Sequence, residues 1–369
     1  MHVAHIIFRF DYGGLENGVV NVINGLSDDD QRHTVIALTE ATEFAGRLRD
    51  GIAVHSLKKK PGKDFAAYVR LFKLLRRLKP DIVHTRNMGT MDCGFVAWLA
   101  RVPVRIHGEH GWDVFDPDGT NRKYRLMRRL LNRFIHQFVT VSDDLRRWLI
   151  DVVGISGAKI QHICNGVDTE RFKPANVDKP DGGPVVVGSV TRFSAIKDPL
   201  NLVEAFVSVQ SNTVSTNTPS SLLMIGDGEL RADAVARLRD AGLLEVSSLP
   251  GSRDDIPEQL RLMDVFVLGS LREGISNTVL EAMSSGLPVI ASDTGGNPEL
   301  IEDEVNGALV PPGDRDALAR AITAYIEDPD RRARHGKASR DRVISLFSIT
   351  TMVNSYRQLY QSALGNQVT

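Results

Sequence analysis

Cysteine is nearly absent: Cys93 and Cys164 are the only two in 369 residues. That excludes a disulfide framework and a cysteine-based zinc site, and it suits a reducing compartment. Net charge is missing as well, with 45 Lys and Arg against 46 Asp and Glu. No global field draws the chain to nucleic acid, although a local patch of one sign stays open. No apolar run reaches the roughly 20 residues needed to cross a bilayer. The opening MHVAHIIFRFDYGG has neither the charged start nor the small-residue cleavage site of a signal peptide. A soluble, cytoplasmic protein is the expectation. Two glycine signatures are missing too. No GxxxxGK[ST] occurs, and the nearest approach to G-x-G-x-x-G, GDGELR from Gly226 to Arg231, lacks its final glycine. A P-loop ATPase or a dinucleotide-dependent dehydrogenase is weakened accordingly. Gly226-Asp227-Gly228 reads as a turn.

What is present is ordinary for a globular chain, 42% hydrophobic and 25% charged. The length exceeds what one core serves, so two domains are expected. The run VAHIIF (3–8) ends in a glycine turn, Asp11-Tyr12-Gly13-Gly14, and Val19, Val20, Val22, Ile23 and Leu26 follow on helical spacing. Strand, glycine turn and helix open a doubly wound unit. Further apolar runs at 33–38, 81–85, 104–110 and 138–142 alternate with helical stretches such as 65–78 and 122–135, which predicts a mainly parallel sheet. The stretch 174–184, rich in Pro, Gly and charge, reads as a linker. The pattern then restarts with PVVVGSVTRF (184–193), SLLMIG (221–226), VFVLGS (265–270) and LPVIAS (287–292). The expected architecture is α/β: a Rossmann-like domain at 1–173, a second at 185–348, the two facing each other across a cleft. A last helix from about residue 349 packs back on the first domain.

Ligands of open α/β sheets bind beyond the carboxyl ends of the strands, where helix N-termini point. Arg192 and Lys197 lie there, in TRFSAIKDP. A helix terminus offers roughly half a charge, so a diphosphate calls for full cations too. These two could grip one; they could also be simply solvated. The segment REGISNTVLEAM (272–283) carries Glu273 and Glu281 with seven residues between them. On one continuous helix, eight positions rotate roughly 80° past full turns, so the acids do not share a face. Glu273 therefore belongs to the turn after VFVLGS. Thr278-Val279-Leu280-Glu281 fits a capping box, with the N-cap at Thr278 and Glu281 in the first turn. In that geometry the backbone N–H groups near 276–279 point into the site. Glu281 is then either a cap or an acceptor for a vicinal diol, and Glu273 can orient sugar hydroxyls. Asp116-Pro117-Asp118 has the letters of a D-x-D metal motif but reads, with Gly119, as a loop turn. NRKYRLMRRLLNRF (121–134) is a cationic amphipathic helix. It either meets anionic lipid or forms a solvated basic face over a buried apolar stripe.

The segment REGISNTVLEAM with the following GLPVIAS and GGNPEL resembles the E-x7-E signature of family-4 retaining glycosyltransferases of the GT-B fold. Gly13-Gly14-Leu15-Glu16, PDIVHTRN (80–87), EHG (109–111), NGVDTERFKP (165–174), TRFSAIKDP and IGDGEL stand in the family's order. FRFDYGGLENG and IHGEHG are similar to the subgroup found with bacterial exopolysaccharide and exosortase-associated systems. The resemblance implies a nucleotide-diphospho-sugar donor, with uridine the expected base and guanosine or adenosine open, held by the C-terminal half, and a glycan or polyprenyl-linked acceptor held by the N-terminal half. It assigns Arg192 and Lys197 to the diphosphate, Glu281 to the ribose, Glu273 to the transferred sugar, and Gly274, Ile275, Ser276, Asn277 and Thr278 to donor contact. Gly13 and Gly14 let a loop approach the donor, and His110 lies near the reacting carbon. His107 is the weaker histidine. Glu16, Asn17 and Arg86 are the acceptor-side candidates. No metal and no other cofactor are implied, nor is nucleic acid. A sugar-nucleotide-binding protein of the same fold that hydrolyses, epimerises or does not catalyse is the alternative.

Overall fold

The computed structural model describes residues 1–26, 31–112, 116, 118–174, 182–211 and 218–365. The chain divides into two compact units, Met1–Gly166 with Ile349–Thr369, and Val167–Ser348. The division falls before residue 173 because the intervening segment is tied to the second unit. Val167 N–H donates to the Phe347 carbonyl (2.9 Å), and the Phe172 carbonyl accepts from Ser284 Oγ (2.6 Å) and Arg340 Nη1 (2.9 Å). Most of the expected linker, 175–181, lies outside the described residues.

In the first unit the chain runs β1 (His2–Ile7), α1 (Gly14–Leu26), β2 (Arg32–Ala37), β3 (Ala53–Ser56), α2 (Phe65–Leu78), β4 (Ile82–Arg86) and α3 (Cys93–Leu99). It continues through β5 (Val104–Glu109), α4 (Arg122–Leu131), β6 (Gln137–Thr140), α5 (Asp143–Trp148) and β7 (Ile160–His162). The strands form one parallel sheet in the order β3-β2-β1-β4-β5-β6-β7. Every residue of β1 and β4 is buried, as expected for strands covered on both faces. Local chemistry sets the helix ends. Asp64 accepts from Ala67 N–H at the start of α2, and Lys79 closes it in the left-handed conformation. The expected helix at 122–135 stops at Leu131 and tightens into a 3-10 turn, Asn132–Phe134.

The second unit runs β8 (Val185–Val190), α6 (Pro199–Ser211), β9 (Ser220–Ile225), α7 (Arg231–Asp240), β10 (Ser247–Gly251), α8 (Ile256–Arg261) and β11 (Val265–Leu268). Then come α9 (Asn277–Ser284), β12 (Val289–Ser292), α10 (Asn297–Leu300), β13 (Gly307–Val310), α11 (Arg315–Glu327) and α12 (Pro329–Leu346). The sheet is again parallel, ordered β10-β9-β8-β11-β12-β13. The last helix, α13 (Ile349–Gly365), returns to the first unit, as expected. Its Met352, Val353, Tyr356, Leu359 and Tyr360 share a core with Val22 and Leu26 of α1 and with Val3, Ile82 and Ile106 below. Burying side chains of this size contributes about 1.5–3 kcal/mol each, which is what draws α13 across.

Both sheets reverse strand order once, at β1/β4 in the first unit and at β8/β11 in the second. The carboxyl edge at such a reversal is the place where open α/β sheets hold ligands.

Candidate functional site

At the reversal of the second unit, the loop after β8 carries Arg192, exposed, and Lys197, half-buried at the end of a 3-10 turn. The Gly226-Asp227-Gly228 turn after β9 seats this loop. Thr191 N–H donates to Ile225 O (2.9 Å) and Phe193 N–H to Asp227 O (3.0 Å). A Cβ on Gly226 would stand 1.9 Å from Thr191 O, and one on Gly228 2.4 Å from Phe193 O. The two glycines thus set the backbone on both sides of Arg192. A concavity of about 320 Å³ opens here, lined by Arg192, Asp227, Arg253 and Thr278 among others.

Glu273 sits in the loop after β11, nearly fully buried, and Lys197 Nζ lies 2.6 Å from its Oε1. The Gly-Gly pair after β12 fixes this acid. Gly295 adopts φ +56°, a Cβ there would meet Glu273 O at 1.9 Å, and Gly296 N–H donates to Gly274 O (2.9 Å). Among the described residues, the N–H groups of Gly274, Ile275 and Ser276 have no backbone acceptor. The expected cap at Thr278 is corrected by the structure. Ser276, with extended backbone, is the N-cap of α9, and its Oγ accepts from Val279 N–H (3.3 Å). Asn277 and Thr278 are already helical, so Glu281 falls in the second turn, too far along to cap. Glu281 is partly buried. Burial raises its carboxyl to about 7, opposed by the Arg171 guanidinium. Arg171 and Arg253 escaped the sequence reading. The second could have been found from its place, just past a glycine that ends a strand.

At the reversal of the first unit, Gly13 and Gly14 lead into α1. The Glu16 carboxylate folds back so closely that a Cβ on Gly13 would lie 2.2 Å from its Oε2. Burial raises the Glu16 carboxyl, with Arg86 drawing it down. Asn17 Oδ1 accepts from Arg47 Nη1 (2.7 Å), which engages that side chain in packing α1. Arg86 ends β4 and is buried, its neighbours being His84 and the Tyr360 hydroxyl. No carboxylate lies within ion-pair distance of it among the described residues, and its Nε has no partner.

His110 follows β5, its backbone N–H bonded to Asn87 Oδ1 (2.7 Å) and its Nε2 unpartnered. Burial first, then the charges of Arg86 and His107, drive the ring down to about 3 against the pull of Glu109, so it is neutral. His107 is fully buried, with Nδ1 2.8 Å from Thr85 Oγ1 and Nε2 3.5 Å from Glu109 Oε1. It is a core residue. Asp116 Oδ1 accepts from Asn121 N–H (2.9 Å), and Asp118 Oδ1 from Thr120 N–H (3.2 Å) and Oγ (2.8 Å). Both acids shape a turn, and Pro117 lies outside the described residues. Among the described residues no cluster of three metal-ligating side chains occurs.

The predicted residues therefore fall into two groups, each gathered within one unit. Arg192, Lys197, Glu273, Gly274, Ile275, Ser276, Asn277, Thr278 and Glu281 belong to the second, and Gly13, Gly14, Glu16, Asn17, Arg86 and His110 to the first.

Residues 12–171 match the family described as Glycosyltransferase Family 4, and residues 170–342 the one described as Glycosyl transferases group 1. The UDP-Gal:alpha-D-GlcNAc-diphosphoundecaprenol alpha-1,3-galactosyltransferase of Escherichia coli is 32% identical over 321 residues, 83% of this chain and 81% of that one. The GDP-mannose-dependent alpha-mannosyltransferase of Mycobacterium tuberculosis is 29% identical over 360 residues, 90% and 88% of the two chains. Among solved structures, Anabaena Alr3699/HepE in complex with UDP and glucose superposes with a TM-score of 0.81 at 21% identity, over 98% of this chain and 99% of the other.

Proposed function

The chain belongs to the family-4 glycosyltransferases with the GT-B fold, and from that membership we propose that it moves a hexose-type sugar from a nucleoside-diphosphate sugar to a glycan or lipid-linked glycan, with anomeric configuration retained. One observation carries this reading: the 2.6 Å pair of Lys197 with buried Glu273, beside Arg192 and the open amides at 274–276, at the sheet reversal of one unit. Cations and amides suit a diphosphate, while a carboxylate repels phosphate and accepts from hydroxyls.

Without donor, Lys197 neutralises Glu273. An incoming diphosphate competes for that ammonium and for Arg192, which leaves the Glu273 carboxylate free to accept from hydroxyls of the sugar. Glu281 accepts from the ribose diol. As the bond from the anomeric carbon to the leaving phosphate oxygen breaks, negative charge grows on the diphosphate, and Arg192, Lys197 and the amides bind it more tightly than in the ground state. The acceptor oxygen forms the new glycosidic bond on the same face and passes its proton to the departing phosphate. His110, neutral, contributes a hydrogen-bonding ring and no charge. Protein cations serve where a divalent ion would otherwise neutralise the diphosphate, so turnover is expected to persist in EDTA.

Uridine is the proposed base, supported by the UDP-galactose relative and the UDP-bound neighbour, and guanosine is the competitor suggested by the mannosyltransferase. A diphosphoundecaprenol-linked acceptor, as named for the Escherichia coli relative, supports a lipid-linked acceptor in cell-surface polysaccharide assembly. The basic segment 121–134 is then the candidate contact with an anionic membrane. The test is a screen of nucleoside diphosphates and their sugars for thermal stabilisation, followed by product analysis by NMR. Inversion at the anomeric carbon refutes retention, and wild-type turnover in the Arg192→Ala, Lys197→Ala double variant refutes the assigned diphosphate site.

A further inference from the structure

Helix α4 is built inside out. Arg128, near its middle, faces inward and is buried, with two hydrogen bonds to Glu109 (2.7 and 3.2 Å) and its guanidinium 4.9 Å from the Trp148 ring. Two positions along a helix is about 200° around it. Leu126 and Leu130 therefore point away from the core and are 55% and 48% exposed. The expectation of a leucine stripe buried under a solvated basic face fails here. A buried Glu109 needs a buried cation, and Arg128 takes the inward position.

The outward apolar strip does not end with the helix. Phe134 follows Leu130 by one turn, and its ring packs edge-on against Phe95 (4.9 Å between centroids) and tilted against Trp98 (5.2 Å) on α3. Phe95 and Trp98 stack on each other at 5.7 Å yet stay 38% and 47% exposed, with Leu99 beside them at 49%. Arg101, Arg122, Lys123 and Arg133 in the same two segments are exposed, and neither 93–101 nor 119–136 contains an Asp or Glu. Single exposed apolar residues are ordinary; an exposed aromatic cluster, with two outward leucines in the turns just before Phe134 and only basic charges in these segments, marks a docking surface. Its chemistry matches an anionic bilayer. Amphipathic rings settle at the headgroup level, and Lys and Arg meet lipid phosphates. No helix among the described residues is long and apolar enough to cross a membrane, so docking would be from one side.

We propose that this face of the first unit, with Phe95, Trp98, Leu99, Leu126 and Leu130 entering the headgroup layer and Arg101, Arg122, Lys123 and Arg133 on its phosphates, docks the enzyme on an anionic membrane. It deepens the lipid-linked acceptor reading and rests on it for its purpose. The aromatic pair on α3 supplies insertion, and the cations supply selection for negative lipid.

Flotation with vesicles of phosphatidylcholine alone, or mixed equally with phosphatidylglycerol, tests it, together with quenching of tryptophan fluorescence by brominated lipid. Wild-type protein is expected to float with the anionic vesicles only and to be quenched through Trp98. The Phe95→Ser, Trp98→Ser variant should partition about tenfold more weakly or worse and lose the quenching. The Arg122→Glu, Lys123→Glu, Arg133→Glu variant should not float. All five side chains are partly or fully exposed, so unchanged circular dichroism is expected of both variants. Failure of the wild type to float with anionic vesicles, equal binding to neutral ones, or full quenching of the serine variant overturns the proposal. A wild-type dimer in solution that the serine substitutions split does so as well, because the strip then belongs to a second copy. Hydrolysis of a nucleotide sugar in lipid-free solution reports on the glycosyl-transfer reading separately. It should be unchanged in both variants, so lost docking with intact hydrolysis and lost hydrolysis with intact docking are told apart.

Discussion

Replacing Glu281 with Gln should change stability in a way that depends on pH, and the sign follows from where the carboxyl sits. Burial in α9 raises it from an ordinary value of 4.5 to about 7, with Arg171 opposing. Between those two values the folded chain holds a proton that the unfolded chain has released, so stability contributed by this group falls as pH rises. The contribution is complete below 4.5 and lost on passing 7. At about 1.4 kcal/mol per pH unit, the full span amounts to about 3 kcal/mol. Glutamine keeps the shape and has nothing to ionise. The Glu281→Gln variant should therefore match the wild type below about pH 4.5 and exceed it by up to about 3 kcal/mol above about pH 8. Urea unfolding followed by far-ultraviolet circular dichroism is the assay, since Trp98, Trp112 and Trp148 all lie in the first unit and do not report on α9. A difference between variant and wild type that stays flat from about pH 5 to about pH 8.5, or that grows as pH falls, would refute the reasoning. The same group predicts a cost. If the ionised carboxylate accepts the ribose hydroxyls, the more stable variant should bind nucleoside diphosphate sugar more weakly than the wild type at high pH.

Three further outcomes follow from the same geometry. Donor kcat/KM should fall below about pH 7 through protonation of Glu281. The His110→Gln variant should keep that limb and the Glu281→Gln variant should lose it; the reverse would return the titration to the histidine. Truncating Arg128 to Ala leaves the Glu109 carboxylate buried without its guanidinium partner, which should cost about 3–5 kcal/mol in chemical unfolding, and Glu109→Gln in that background should recover part of the loss. Gly295→Ala places a Cβ against Glu273 O at φ +56°. It should cost about 1–3 kcal/mol of strain and lower donor turnover through the displaced Glu273; turnover equal to wild type would show that the Gly-Gly pair does not hold this acid.

Much of the fold was legible because parallel strands buried on both faces are spelled as unbroken apolar runs. The core strands at 3–8, 81–85, 265–270 and 287–292 stand within a few residues of β1, β4, β11 and β12. The short β3, β7, β10 and β13 were not visible, since three to five residues at a sheet edge, such as IQH and SSLPG, carry too little apolar pattern to separate from loop. The loops bearing Arg192, Lys197 and Glu273 could be located in the same way, as the segments that follow strands. What could not be read was which groups touch. The cap of α9 moved from Thr278 to Ser276 because an N-cap depends on where the backbone turns helical, and both residues offer a hydroxyl.

The order of apolar runs and glycine turns by itself determined two parallel-sheet units, the return of the last helix, and the family, because strand burial and close backbone approach are local demands met by residue type. Tertiary structure decided the rest. Lys197 reaches Glu273 only because β8 and β11, far apart in the chain, become neighbours at the reversal of the sheet. Arg128 turns inward, and two leucines outward, only because β5 delivers Glu109 beneath α4. Periodicity reports which residues share a face; which face is inside depends on what another segment brings to meet it.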